Sequence, residues 1–174
     1  MIKDWPVYFK ERLLVENLKS SVGVVTLWMP KENVAEYLEP QTYSVCGQLY
    51  TKQGINYIIR NILANPKIQN LVLCGIDRQN SGDALKKFFK NGVEAQKDSN
   101  GEIQSWKIKG AEKAQIDSQI PKEFIEKVRE NVEFFDMREA TLEQVAEETT
   151  ELHNASSTTK GPNDFCRSEE RRVG

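Results

Sequence analysis

The stretch from Tyr43 to Gly75, YSVCGQLYTKQGINYIIRNILANPKIQNLVLCG, sets a short apolar run, a glycine-containing loop, an amphipathic helix, a sharp stop and a second apolar run in immediate succession. Few folds accept that order. Ile55, Ile58, Ile59, Ile62 and Leu63 recur at helical spacing and predict a helix over 54–64 with one buried face. Asn65-Pro66 ends it, because the residue before a proline is pushed out of helical geometry. Leu71 to Cys74 is apolar at every position, as a parallel strand covered on both sides must be. The block therefore predicts the βαβ half of a nucleotide- or cofactor-binding α/β domain.

The flanking segments extend the pattern. Val22 to Leu27 predicts a buried strand, and Pro30 opens a short helix carrying Val34, Tyr37 and Leu38. A helix with Leu85, Phe88 and Phe89 closes at Asn91-Gly92, a left-handed cap. Ile103 to Ile108 alternates around Trp106 and predicts an antiparallel excursion. Pro121 starts a helix with Phe124, Ile125 and Val128, and Val132 to Met137 is the last strand. The expected fold is α/β: a Rossmann-like three-layer domain with a mostly parallel sheet of about five strands over residues 1–140. Thr141 to Leu152 predicts a capped helix, and from His153 the composition turns to linker chemistry, so 141–164 reads as a helix and polar linker. The last eight residues, RSEERRVG, are the in-frame translation of a common sequencing adapter. Residues 165–174 are accordingly expected to be an artefact, with a natural frame that continues.

Composition narrows the function. At 174 residues with net charge -2, the chain lacks the basic stripe of a general nucleic-acid binder. No run is apolar enough to span a bilayer and no signal core precedes the domain, so the expected location is cytoplasmic. Cys46, Cys74 and Cys166 match no zinc spacing, and the single histidine, His153, lies in the polar tail, away from Cys46 and Cys74. Cys46 and Cys74 are therefore expected to be small apolar residues at strand ends.

Ligands of α/β sheets bind outside the carboxyl ends of the strands. Two loops occupy that place. The first offers Gly47, Tyr50 and Thr51 ahead of a helix N-terminus, whose partial positive charge suits an anion. The second offers Gly75, Arg78, Asn80, Ser81 and Gly82. Each residue also has a structural reading: glycines make turns, and Thr51 and Ser81 cap helices. Together the eight are the candidate crevice for a small-molecule ligand, with a nucleotide phosphate or a pterin or folate group as expected occupants. A homo-oligomer and a purely structural or dimerisation role stay open.

An ordered set of residues carries a family resemblance: Gly47, Thr51, Gly54-Ile55, Asn61, Asn65-Pro66, Ile68, Leu73-Cys74-Gly75, Gly82, Asn91-Gly92-Val93, Gly110-Ala111 and Ile120-Pro121. With Trp5-Pro6 and the Val24–Leu27 strand, this resembles MtrA, the A subunit of tetrahydromethanopterin S-methyltransferase, over roughly residues 4 to 138. The resemblance implies a methyltransferase of one-carbon metabolism with a corrinoid cofactor, bound in that family through a histidine in the loop after the third strand. Here that loop, Gly75 to Gly82, is shorter and has no histidine; Asn80 lies near the lost position, and an amide oxygen is a poor cobalt ligand. A corrinoid-binding methyltransferase without that ligand is one reading. Such domains also look like the N-terminal region of thymidylate synthase-like proteins, which implies a downstream synthase domain in the same chain.

Overall fold

The computed structural model describes residues 4–158, so the expectation for residues 165–174 lies outside the described residues. The protein is α/β, with a mixed five-stranded sheet, a separate three-stranded sheet and five helices among the described residues. The main sheet is built from β1 (Leu14–Val15), β2 (Val22–Val25), β3 (Val45–Gly47), β4 (Asn70–Leu73) and β8 (Glu133–Asp136), in the order β1-β3-β2-β4-β8. β3, β2, β4 and β8 run parallel, in a register that sets Val24 between Cys46 and Val72, and Val72 beside Phe135. β1 closes the β3 edge antiparallel, with Leu14 opposite Cys46.

Side chains alternate across a strand, and the core divides accordingly. Val25, Leu71 and Leu73 join a cluster with Ile55, Ile59 and Ile62 of α2 (Ile55–Ala64), Leu85 and Phe88 of α3 (Ser81–Asn91), and Ile125 and Val128 of α4 (Lys122–Asn131). Val22, Val24, Val72, Cys46 and Cys74 join another with Val34 of α1 (Lys31–Ala35) and with Val145 and Leu152 of α5 (Leu142–Thr158). Ile125 and Val128 are the buried stripe of α4, whereas Phe124 is 43% exposed beneath Lys127.

The antiparallel excursion has three strands. β5 (Val93–Lys97), β6 (Ile103–Ile108) and β7 (Gln115–Asp117) pair in that order between α3 and α4. Trp106 is core, its indole N–H donating to the Ile120 carbonyl at 2.9 Å. Helix α5 opens on a capping box: the Thr141 hydroxyl accepts from the Gln144 amide at 3.1 Å and the Gln144 side chain accepts from the Thr141 amide at 2.9 Å. It continues to Thr158, through residues whose composition reads as linker, because Leu152 is buried and the Ser21 hydroxyl donates to Ser156. No helix among the described residues is long and apolar enough to cross a membrane.

Candidate functional site

β2 connects first to β3 on one side, and the chain then returns to place β4 on the other. The order of connection therefore reverses at β2 and β4, where α/β sheets open their crevice. Three segments meet at the carboxyl ends: 26–29 after β2, 48–51 after β3 and 74–80 after β4. The first and third are tied together. The Trp28 amide donates to the Ile76 carbonyl at 3.1 Å and the Cys74 amide to the Val25 carbonyl at 2.8 Å. Gly75 takes φ +92°, and a Cβ there would run into the Thr26 carbonyl oxygen. Gly82 leaves room for Leu27, which would meet a Cβ at 2.9 Å.

The eight candidate residues thus divide. Gly75 and Gly82 permit loop packing, and buried Ser81 donates its hydroxyl to the Leu49 carbonyl at 2.9 Å, binding the second loop to the first. Asn80 sits left-handed, φ 60°, immediately before α3, and its carbonyl accepts from Ala84. Arg78 and Asn80 have exposed side chains. Gly47, Tyr50 and Thr51 line a cavity of about 710 Å³ between β3, α2 and the N-terminal segment. The Thr51 side chain makes no capping hydrogen bond to the short 3-10 turn, Lys52–Gly54, that leads into α2.

Sequence reasoning passes over a charged network beside these loops. Arg138, just beyond β8, reaches Asp77 at 3.0 Å and grips Asp136 through Nε and Nη2, both at 2.8 Å. Lys86 stands 3.4 Å from Asp136. Hydrogen bonds from Arg138 hold the Asp136 carboxyl down to about 2. Asp77 Oδ2 also accepts the Asp83 amide at 2.9 Å, so a carboxylate already serves that N–H in the first turn of α3. Two buried atoms here have no hydrogen-bond partner among the described residues: Asp77 Oδ1 and Trp28 Nε1. The Trp28 ring meets Tyr50 edge-on, centroids 5.0 Å apart. Arg138 and Trp28 carry no motif; their sequence signal is limited to standing just beyond a strand's carboxyl end.

Cys46 and Cys74 are buried, and burial pushes both thiols up, Cys74 to about 12, so neither is a ready nucleophile. No cluster of three metal-ligating side chains occurs among the described residues. His153 lies on α5 with Nδ1 3.2 Å from Ser20 Oγ, at the amino end of β2, opposite the candidate crevice. The residues at the carboxyl ends therefore do not fit a histidine-ligated corrinoid.

Loops gathered at the carboxyl ends of β2, β3 and β4, beside an apolar cavity, define the architectural class of this chain as an α/β domain with a mixed five-stranded sheet. The family model of MtrA, the A subunit of tetrahydromethanopterin S-methyltransferase, matches residues 1–164, and the chain belongs to that family. The enzyme's A subunit 2 from Methanothermobacter thermautotrophicus is 31% identical over 141 residues, covering 78% of this chain and 69% of that one. The A subunit 2 of Methanobrevibacter ruminantium is 30% identical over 139 residues, covering 78% and 66%. The A subunit of Methanopyrus kandleri is 31% identical over 135 residues, covering 75% and 51%. The chain thus spans about two thirds of the first two relatives and half of the third.

Proposed function

We propose that this chain is an MtrA-like module of one-carbon metabolism that binds a pterin- or folate-type molecule at the carboxyl ends of β2 and β4. The observation that carries the reading is the pair of unpartnered buried atoms, a donor at Trp28 Nε1 and an acceptor at Asp77 Oδ1. A buried polar group without a partner costs about 1–3 kcal/mol, which a ligand with the complementary group recovers once it displaces the side chains that cover that group. The 2-amino-pyrimidinone edge of a pterin supplies N–H donors for a carboxylate oxygen and a carbonyl for an indole N–H. Trp28 and Tyr50 give the ring apolar surface, and Arg78, with Thr51 at the start of α2, would meet an anionic tail. The strand order and the two apolar clusters on opposite sides of the sheet support a Rossmann-like three-layer reading of the fold. The relatives' naming as a subunit supports a role in an assembly. We place that role beside a cytoplasmic thymidylate synthase-like domain.

Calorimetric titration with tetrahydrofolate tests the site. Asp77→Asn and Thr51→Ala are each expected to weaken binding, Asp77→Asn by about tenfold or more, since its loss removes a charge-assisted hydrogen bond. Parent-like affinity in both variants would place the ligand elsewhere.

A further inference from the structure

The cavity of about 710 Å³ has a wall that the one-carbon reading does not use. Residues 5–13 form a strap beside α2, and one residue of that helix, Asn61, fastens it. Asn61 Oδ1 accepts from the amides of Val7 at 2.9 Å and Tyr8 at 3.0 Å, Asn61 Nδ2 donates to the Tyr8 carbonyl at 3.1 Å, and the Trp5 indole donates to the Asn61 carbonyl at 2.7 Å. The strap brings Tyr8 and Phe9 against Tyr57, at ring-centroid separations of 5.4 and 4.8 Å. All three rings line the cavity, yet Tyr8 and Phe9 remain 38% and 42% exposed. A ligand that covers such a cluster removes apolar surface from water, and the volume lies within the usual range of roughly 300–1,000 Å³ for small-molecule pockets.

The charges at this cavity are unequal in their pairing. Lys31 is 3.1 Å from Glu32, and nearby Arg60 is 2.9 Å from Asp117. Arg12 lies over the Phe9 ring at 5.4 Å and has no carboxylate partner among the described residues. A guanidinium stacked on an aromatic ring, at the rim of an aromatic-walled cavity, suits a planar ring that carries an anion.

We infer that this cavity binds a planar aromatic carboxylate, its ring against Tyr8, Phe9 and Tyr57 and its carboxylate on Arg12. The inference rests on the cavity and not on the pterin reading. The probe is 2-naphthoate, titrated into the full chain and followed by amide chemical shifts, with neutral 2-naphthamide and aliphatic octanoate beside it. Saturable shifts at Tyr57, Asn61 and Thr51 are expected for naphthoate, with naphthamide and octanoate each binding about tenfold more weakly. Arg12→Gln is expected to bring naphthoate down to the level of naphthamide, a loss of about tenfold for a charge-assisted contact. Gln53→Trp, which puts a bulky ring at an exposed position of the lining, is expected to abolish the shifts. Equal binding of the three probes, an unchanged affinity in Arg12→Gln, or binding retained in a folded Gln53→Trp variant would each overturn the assignment. Naphthoate lacks the pterin hydrogen-bonding edge, so a failed tetrahydrofolate titration leaves this test intact.

Discussion

At Gly75 the backbone takes φ +92° with the Thr26 carbonyl where a side chain would begin. Alanine there meets both penalties, a left-handed conformation and a backbone collision that no rotamer relieves. Gly75→Ala is expected to cost about 2–4 kcal/mol, read as a lowered urea midpoint with an unchanged slope. Gly47, by contrast, yields its side-chain space to Leu13, a side chain that can shift. The sequence names both as loop glycines but cannot rank them, because the atom each avoids belongs to a residue far away along the chain. Asn61 is a further instance. In the sequence it stands only as one member of the family-matching set, and its partners, Trp5, Val7 and Tyr8, are more than fifty residues distant.

Between elements, the Arg138 network joins the end of β8 to the loop between β4 and α3. Asp136 is held down to about 2, chiefly by its hydrogen bonds with Arg138. A carboxylate with a depressed folded-state pKa contributes fully above its ordinary value near 4 and loses that contribution as pH falls towards 2. Thermal melts are therefore expected to show wild type ahead of Arg138→Gln by about 1 kcal/mol above pH 4, after solvent screening, with the gap narrowing towards pH 2. A gap that stays constant over this window would remove Asp136 from the explanation. The elements themselves are largely legible: the stripe on α2, the Asn65-Pro66 stop, the all-apolar β4 and the Thr141 cap each follow from local spacing. Helix α5 outruns its expected end because Ser, Thr and Asn are weak formers whose state is decided by packing, here by Leu152 and the Ser21–Ser156 contact. β5 and β7 escape the sequence reading for a related reason, since β5 buries only Val93 and presents no alternation.

On the scale of the whole molecule, the α/β class and the position of both loops just after strands can be read from the order of elements, whereas the cavity cannot. Its lining comes from the N-terminal segment, from β2, β3 and β4, from Lys31 of α1 and from α2, and the strap has no period that a sequence pattern could reveal. The Asn61 tether has a kinetic consequence. The Val7 and Tyr8 amides end on one oxygen, so they detach in a single opening event and should exchange with deuterium at matched protection factors. If cavity occupancy requires the strap closed, both factors rise together with 2-naphthoate concentration, by one plus the ratio of free probe to its dissociation constant. Amides that exchange independently, or stay indifferent to the probe, would mean that the two ends of this wall move without reference to what it encloses. A single asparagine would then be a fastening and not a latch.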